Sequence, residues 1–216
     1  MGNVLLVDDK PLLTDAKLMK HSYLSEEGLL KLRRRLAEML VRGEAASDQP
    51  EARPLDASGG NPFVIPKDKF LDAAKDVGLG DFSKDIRPLI ERLLDAFDRS
   101  GYGAVEPQEV LVGMAALSRG KAMERLELAF TIFDTLEKQC IDAEELSIVM
   151  RSMATALAEV ISPGCIDRIG GIDIEEIRPY AQKVVVERGS VKSQVLPADV
   201  FADAVLSHPL LRKITA

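Results

Sequence analysis

The sequence has no tryptophan, only two cysteines, and an aromatic content of 5%. Two cysteines without a Cys-x-x-Cys or Cys/His spacing exclude a disulfide framework and a zinc motif, and favour a reducing, cytoplasmic setting. The net charge is -7, whereas phosphate binding needs clustered lysine and arginine, so no nucleic-acid partner is expected. No apolar run approaches the roughly 20 residues of a membrane span, and the N-terminus lacks the basic flank of a secretory signal. The remaining composition, 216 residues with 46% hydrophobic, predicts a globular protein with one sizeable core or two small ones.

Catalytic motifs are also missing. No nucleophile motif surrounds Cys140 or Cys165, and the two histidines, His21 and His208, lie far apart in the sequence. The segment GLGDFS at 78–83 follows a helix-like stretch, whereas a dinucleotide-binding fingerprint needs a preceding strand. No enzyme activity is expected, and an enzyme using Cys140 or Cys165 ranks last among the functional classes considered.

Long helical periodicity dominates the middle of the chain. Apolar residues spaced for one face of a helix precede the twelve-residue segment DRSGYGAVEPQE at 98–109, and Val110, Gly113, Met114 and Leu117 continue that spacing after it. The pattern returns thirty-six residues later around DTLEKQCIDAEE at 134–145. Positions matched in type across the repeat are Phe97 with Phe133, Asp98 with Asp134, Val105 with Ile141, Glu109 with Glu145 and Met114 with Met150. A repeated unit of helix, twelve-residue loop and helix is the EF-hand arrangement.

Two repeats of this kind predict partners, because EF-hand loops pair through the residue at their eighth position. Ile65 and Leu196 occupy that position in two weaker outer units, and Ser25 caps a helix that enters the first of them. The sequence therefore predicts an all-α fold of four EF-hand-like units in two paired lobes, with short β-bridges between loops. The predicted divisions are an N-terminal segment at 1–21, an N-terminal lobe at 22–118 with a loop insertion at about 43–62, and a C-terminal lobe at 121–212.

The loop at 98–109 carries most of an EF-hand ligand set. Calcium is bound there by six to eight oxygens, from side chains at positions one, three, five and nine, a carbonyl at seven and a bidentate glutamate at twelve. The candidate ligands, in that order, are Asp98, Ser100, Tyr102, Glu106, Ala104 through its carbonyl, and Glu109. A phenol at position five is too long to coordinate from there. Two interpretations stay open, a weak calcium site and an empty loop, and the empty loop is favoured.

The loop at 134–145 departs further from that pattern. Leu136 and Lys138 occupy positions three and five, and Gln139 replaces the glycine at position six. An ammonium would lie where the cation belongs. Calcium is therefore not expected in this loop, nor in the outer loops at 58–69 and 189–200, which lack acidic first and last residues.

The segment from Phe97 to Met150, FDRSGYGAVEPQEV through DAEELSIVM, resembles the middle of the recoverin-type neuronal calcium sensors and the calcineurin regulatory B subunits. The similarity is strong over about 86–153 and weaker over 22–212. It implies an EF-hand fold that holds an amphipathic target helix in a groove between helix pairs. Candidate groove or core residues are Phe97, Met114, Leu117, Met123, Phe130, Phe133, Met150 and Met153.

Two features bear on membrane contact. Gly2 in MGNVLL is a candidate for myristoylation, although Leu6 stands where the motif needs serine or threonine. The run KLRRRL at 31–36 could meet anionic lipid, but interleaved leucines on a helix favour a solvated charged face. The expected function is a non-catalytic, cytoplasmic adaptor or regulatory subunit with weak or lost calcium dependence. The alternative is a calcium sensor that uses the 98–109 loop and moves to membranes through a myristoyl switch.

Overall fold

The computed structural model describes residues 24–42, 64–79, 87–134, 136–161, 174–190, 194–208 and 211. Within these ranges the chain is mainly helical, with four strands of two residues each. The helices are α1 (Glu26–Val41), α2 (Lys67–Asp76), α3 (Arg87–Phe97), α4 (Pro107–Ala116), α5 (Ala122–Phe133), α6 (Ala143–Ile161), α7 (Ile174–Arg188) and α8 (Ala198–Leu206). The strands are β1 (Ile65–Pro66), β2 (Ala104–Val105), β3 (Cys140–Ile141) and β4 (Leu196–Pro197). The all-α prediction is confirmed.

The strands form two antiparallel pairs. In the first, β1 pairs with β2 and sets Ile65 opposite Val105. In the second, β3 pairs with β4 and sets Ile141 opposite Leu196. These four residues are the ones predicted to bridge the loops, and all four are buried. The division into two lobes is not tested by this pairing and stays a prediction.

Helix α1 begins where the sequence predicts. The Ser25 hydroxyl accepts a hydrogen bond from the Gly28 backbone N–H at 3.1 Å, which satisfies one of the free donors of the first turn. Leucines spaced for one helical face, together with Met39, are buried along α1. The helix therefore forms through a polar cap and a single apolar stripe.

Helix α4 lies at the centre of the molecule. Its residues are buried on every side, from Val110 to Ala116, and a helix that is apolar all round is a core helix. It packs against α1, α5 and especially α6. Gly113 permits the close approach to α6, because an added Cβ would lie 2.8 Å from Phe97 Cζ and 3.0 Å from Ala156 Cβ. The two predicted lobes thus share one continuous core.

The basic run at 31–36 lies on α1 with Leu32 and Leu36 buried. Lys31 pairs with Glu27 at 2.6 Å, Arg35 reaches Asp76 at 3.5 Å, and Arg33 donates to the Thr131 carbonyl at 3.0 Å. Three of its cations therefore make contacts within the chain, as expected of a charged helix face. None of the described helices is both long and apolar enough to cross a bilayer. Several features of the sequence analysis lie outside the described residues: Gly2, His21, Cys165, the 43–62 insertion and most of the GLGDFS segment.

Candidate functional site

The first carboxylate of the 98–109 loop is held by the chain itself. Asp98 Oδ2 accepts a hydrogen bond from the Gly103 N–H at 2.9 Å and lies 2.8 Å from Lys67 Nζ, while Oδ1 accepts from Ser100 Oγ at 3.0 Å. Burial acts to raise the pKa of Asp98, but these donors outweigh it and the pKa lies below its ordinary value. Asp98 is therefore a carboxylate whose counter-ion is a lysine ammonium.

Lys67 reaches Asp98 because of the strand pairing. It follows β1 directly, and its backbone N–H donates to the Gly103 carbonyl at 3.0 Å, so the bridge places the first turn of α2 over the second loop. Its ammonium also lies 2.9 Å from Asp95 Oδ1. Burial acts to lower the pKa of Lys67, and the two carboxylates raise it above its ordinary value. Lys67 is consequently a charged, doubly paired cation.

The carboxylate at the twelfth position is also paired. Glu109, in the first turn of α4, is 6% exposed, and its two oxygens accept separately from the guanidinium groups of Arg99 and Arg151. Arg151 belongs to α6 and is itself 3% exposed, whereas the Arg99 side chain is 53% exposed. Burial raises the pKa of Glu109, and the charge of Arg99 opposes that rise. Glu109 thus joins α4 to α6 through a buried ion pair.

The remaining candidate ligands are exposed, hydrogen-bonded within the loop, or located in β2 and at the start of α4. Tyr102 is 63% exposed, and the Ser100 hydroxyl is engaged with Asp98 and with the Tyr102 N–H at 3.3 Å. Ala104 lies in β2, and Glu106 occupies the N-cap position of α4 without a side-chain capping hydrogen bond. Within the described part of the chain, no group of three or more acidic, histidine or cysteine side chains is arranged to hold a metal ion. The residues as arranged do not fit a calcium site.

The carboxylates of the 134–145 loop are also paired with groups of the chain itself. Asp134 accepts from the backbone N–H groups of Lys138 and Gln139 at 2.9 and 2.7 Å. Lys138 Nζ lies 2.6 Å from Glu145 Oε1, and this hydrogen bond raises the pKa of Lys138. Glu145 also accepts from the Asp142 N–H and donates its own N–H to Asp142, a reciprocal cap of α6. The sequence predicts an ammonium at the place of the cation, and the structure shows that this ammonium is paired with Glu145.

The predicted partner-contacting residues lie mainly in the core. Phe97, Met114, Leu117, Phe130, Met150 and Met153 are all buried, while Phe133 is partly buried and Met123 is 41% exposed. Phe130 lines a cleft of about 310 Å³ between α5, α8 and the 134–145 loop. Its ring lies 5.1 Å from that of Phe201 in a tilted arrangement. Partner binding through these residues stays a prediction.

The sequence did not reveal the three cations that close the 98–109 loop. Lys67 begins α2, after a different loop, and Arg151 lies 42 residues after Glu109 in the mostly apolar middle of α6. One signal was available: Arg151 is a charged residue within the apolar run LSIVMRSMATALA, where a buried charge needs a partner. The partner itself could not be chosen without the packing of α4 on α6.

No family model matches the chain. A recoverin family protein of Dictyostelium discoideum is 26% identical over 180 residues, covering 78% of this chain and 79% of that protein. The calcium-binding protein NCSA of the same organism is 28% identical over 91 residues, covering 42% of this chain and 46% of that protein. A calcium and calcium/calmodulin-dependent serine/threonine-protein kinase of rice is 36% identical over 127 residues, covering 59% of this chain. The match spans only 23% of that kinase.

Proposed function

We propose that this chain, which is similar over 78% of its length to a recoverin family protein, is an EF-hand-like, non-catalytic adaptor or regulatory subunit. It binds a helical segment of a partner protein, and calcium has little or no influence on that binding. Its setting is cytoplasmic. The kinase similarity is confined to a small part of the kinase, so it supports a shared EF-hand module and no phosphoryl transfer by this chain.

One observation carries the proposal. Glu109 occupies the position of the bidentate calcium ligand, and each of its oxygens is already bound by an arginine of the same chain. A calcium sensor needs this glutamate to change partner when the ion binds. Since the Glu109 contact to Arg151 is buried, exchanging it for calcium would leave a guanidinium without a counter-ion in the core.

The cleft beside α5 is the surface that we assign to the partner. Its floor is apolar, with Phe130, Phe201 and Ala202, and the exposed carboxylates of Glu127 and Glu137 border it together with the guanidinium of Arg33, which donates to the Thr131 carbonyl. Among the described residues, neither carboxylate has a hydrogen-bond or ion-pair partner. An apolar floor whose edge carries two exposed carboxylates, beside an arginine already engaged by a backbone carbonyl, fits a helical segment whose apolar side chain is flanked by lysine or arginine.

A calorimetric titration tests the calcium part of the proposal. We expect no saturable heat below about 1 mM calcium, the weak end of EF-hand affinities, and the same trace from a Glu109→Gln variant. Glu187→Gln, which removes a charge from an exposed pair on α7, serves as the control for nonspecific cation association. Saturable binding at micromolar calcium that Glu109→Gln abolishes would contradict the proposal.

That contrary result would favour a second candidate, a calcium sensor using the 98–109 loop. The similarity of this chain to the calcium-binding protein NCSA supports this candidate. It would predict calcium-dependent binding to phosphatidylserine vesicles after co-expression with a myristoyltransferase, with loss of binding in Gly2→Ala.

A synthetic amphipathic helix of leucine and lysine probes the cleft. Fluorescence anisotropy should show that Glu127→Gln with Glu137→Gln weakens binding about three- to fivefold at low salt, because two exposed ion pairs are lost. Glu91→Gln with Glu187→Gln removes the same charge elsewhere and controls for the net charge. Equal effects of the two double variants would exclude the cleft as the docking surface. Chelator should change neither affinity.

A further inference from the structure

We propose that the positive charges of Lys67 and Arg99 exclude calcium from the 98–109 loop. In place of a bound ion, the ion pair of Arg151 with Glu109 then links α4 to α6. This inference rests on the proposed calcium independence and assigns its cause. The alternative cause is simpler: the loop does not bind calcium because Tyr102 supplies no ligand at position five. The two causes make different predictions for the same protein.

The position of Lys67 is set by backbone structure. Strand β1 is paired with β2, and the Lys67 N–H donates to the Gly103 carbonyl within the loop. The ammonium is thereby directed at Asp98, with a second carboxylate, Asp95, on its other side. A calcium ion bound beside Asp98 would therefore lie close to the Lys67 ammonium, whose position is fixed by the hydrogen bond of the Lys67 backbone to Gly103.

The two loop carboxylates already have cationic partners without a metal. The carboxylates of Asp98 and Glu109 face the cations of Lys67, Arg99 and Arg151. A divalent ion placed between them would lie within a few ångström of an ammonium and a guanidinium, and like charges at that separation repel each other. Arg99 is half exposed and could turn to solvent, but Lys67 is 26% exposed and Arg151 is 4% exposed at the side chain.

Arg151 has a different role from the other two cations. It is buried, its Nε has no hydrogen-bond partner among the described residues, and its contact with Glu109 links the first turn of α4 to α6. In an EF-hand, the twelfth-position glutamate couples the exit helix to the ion. Here an arginine from another unit provides that coupling permanently, so α4 is held without a metal.

Four variants separate the two causes by calcium calorimetry. Tyr102→Asp restores the missing ligand alone, and Lys67→Met with Arg99→Met removes the two accessible cations alone. The triple variant combines them. A charge-matched control carries Tyr102→Asp with Arg87→Met and Lys183→Met, since these two cations pair with Glu91 and Glu187 instead of the loop. Circular dichroism checks the helical content of each.

We expect Tyr102→Asp to remain without saturable binding below millimolar calcium. The triple variant should bind at least about tenfold more tightly than the charge-matched control, because each removed cation lies close to a divalent ion. Tight binding by Tyr102→Asp alone, or equal binding by the triple variant and the control, would overturn the inference. Both of those outcomes are compatible with a wild-type loop that does not bind calcium, so they would not contradict the proposed function. Calcium binding by the wild type would contradict the proposed function itself.

Discussion

Replacing Arg151 by methionine should lower the free energy of unfolding by about 3 kcal/mol or more, because it leaves the buried carboxylate of Glu109 without its buried partner. Methionine keeps most of the apolar stem, so the loss reports the charge and not a large cavity. Arg99 still contacts Glu109, which places the expected loss at the lower end of the range for a broken buried pair. Urea unfolding followed by circular dichroism measures it.

A double-mutant cycle distinguishes this ion pair from general damage to the core. Glu109→Gln with Arg151→Met should cost clearly less than the sum of the two single substitutions, since the double variant buries neither charge alone. Arg87→Met, which breaks an exposed pair with Glu91, should cost only about 0.5 kcal/mol. Additive single effects, or an Arg151 effect no larger than that of Arg87, would show that the clamp between α4 and α6 does not exist.

Replacing Gly113 by leucine should destabilise the protein by roughly 3 kcal/mol, the upper part of the range for overpacking a core. The first added atom already meets the Phe97 ring at 2.8 Å and Ala156 Cβ at 3.0 Å. Ala156 Cβ is attached to the backbone of α6, so it cannot move unless the helix moves. Thermal and urea unfolding should both register the loss, and Gly113→Ala should give a smaller effect of the same sign.

A second helical glycine provides the control. An added Cβ at Gly28 would meet only the end of the Leu79 side chain, at 2.8 Å, and Ser25 Oγ, at 3.1 Å. A flexible side-chain end can turn aside, and alanine gains about 1 kcal/mol of helix propensity over glycine. Gly28→Ala should therefore leave stability unchanged or raise it slightly. If Gly113→Ala is also neutral, the close contact of α4 with α6 is not a constraint.

Much of the fold was predictable because it depends on neighbours in the sequence. The Ser25 cap, the apolar spacing of the helices and the internal repeat are local patterns, and the repeat placed Ile65, Val105, Ile141 and Leu196 at the bridges that the structure contains. The ammonium of Lys138 at the place of the cation was predictable for the same reason, since it depends only on residues within one loop, and the structure pairs it with Glu145.

The candidate groove residues show what periodicity in the sequence cannot determine. Met114, Met150 and Met153 have the same spacing whether they face a groove or a core, and periodicity cannot separate the two. The structure buries all three. The cleft at Phe130 depends instead on α8 lying beside α5, which is a contact between elements far apart in the sequence.

The sequence by itself determined that this protein is built from helical hairpins around twelve-residue loops, and that those loops lack some residue types of the EF-hand ligand pattern, because ligand spacing and helix periodicity are local. Only the tertiary structure decided what holds the remaining carboxylates. Lys67 reaches Asp98 through a strand pairing, and Arg151 reaches Glu109 through the packing of α4 on α6. A charge pair between distant residues forms wherever the core brings them together, and no spacing in the sequence encodes that distance.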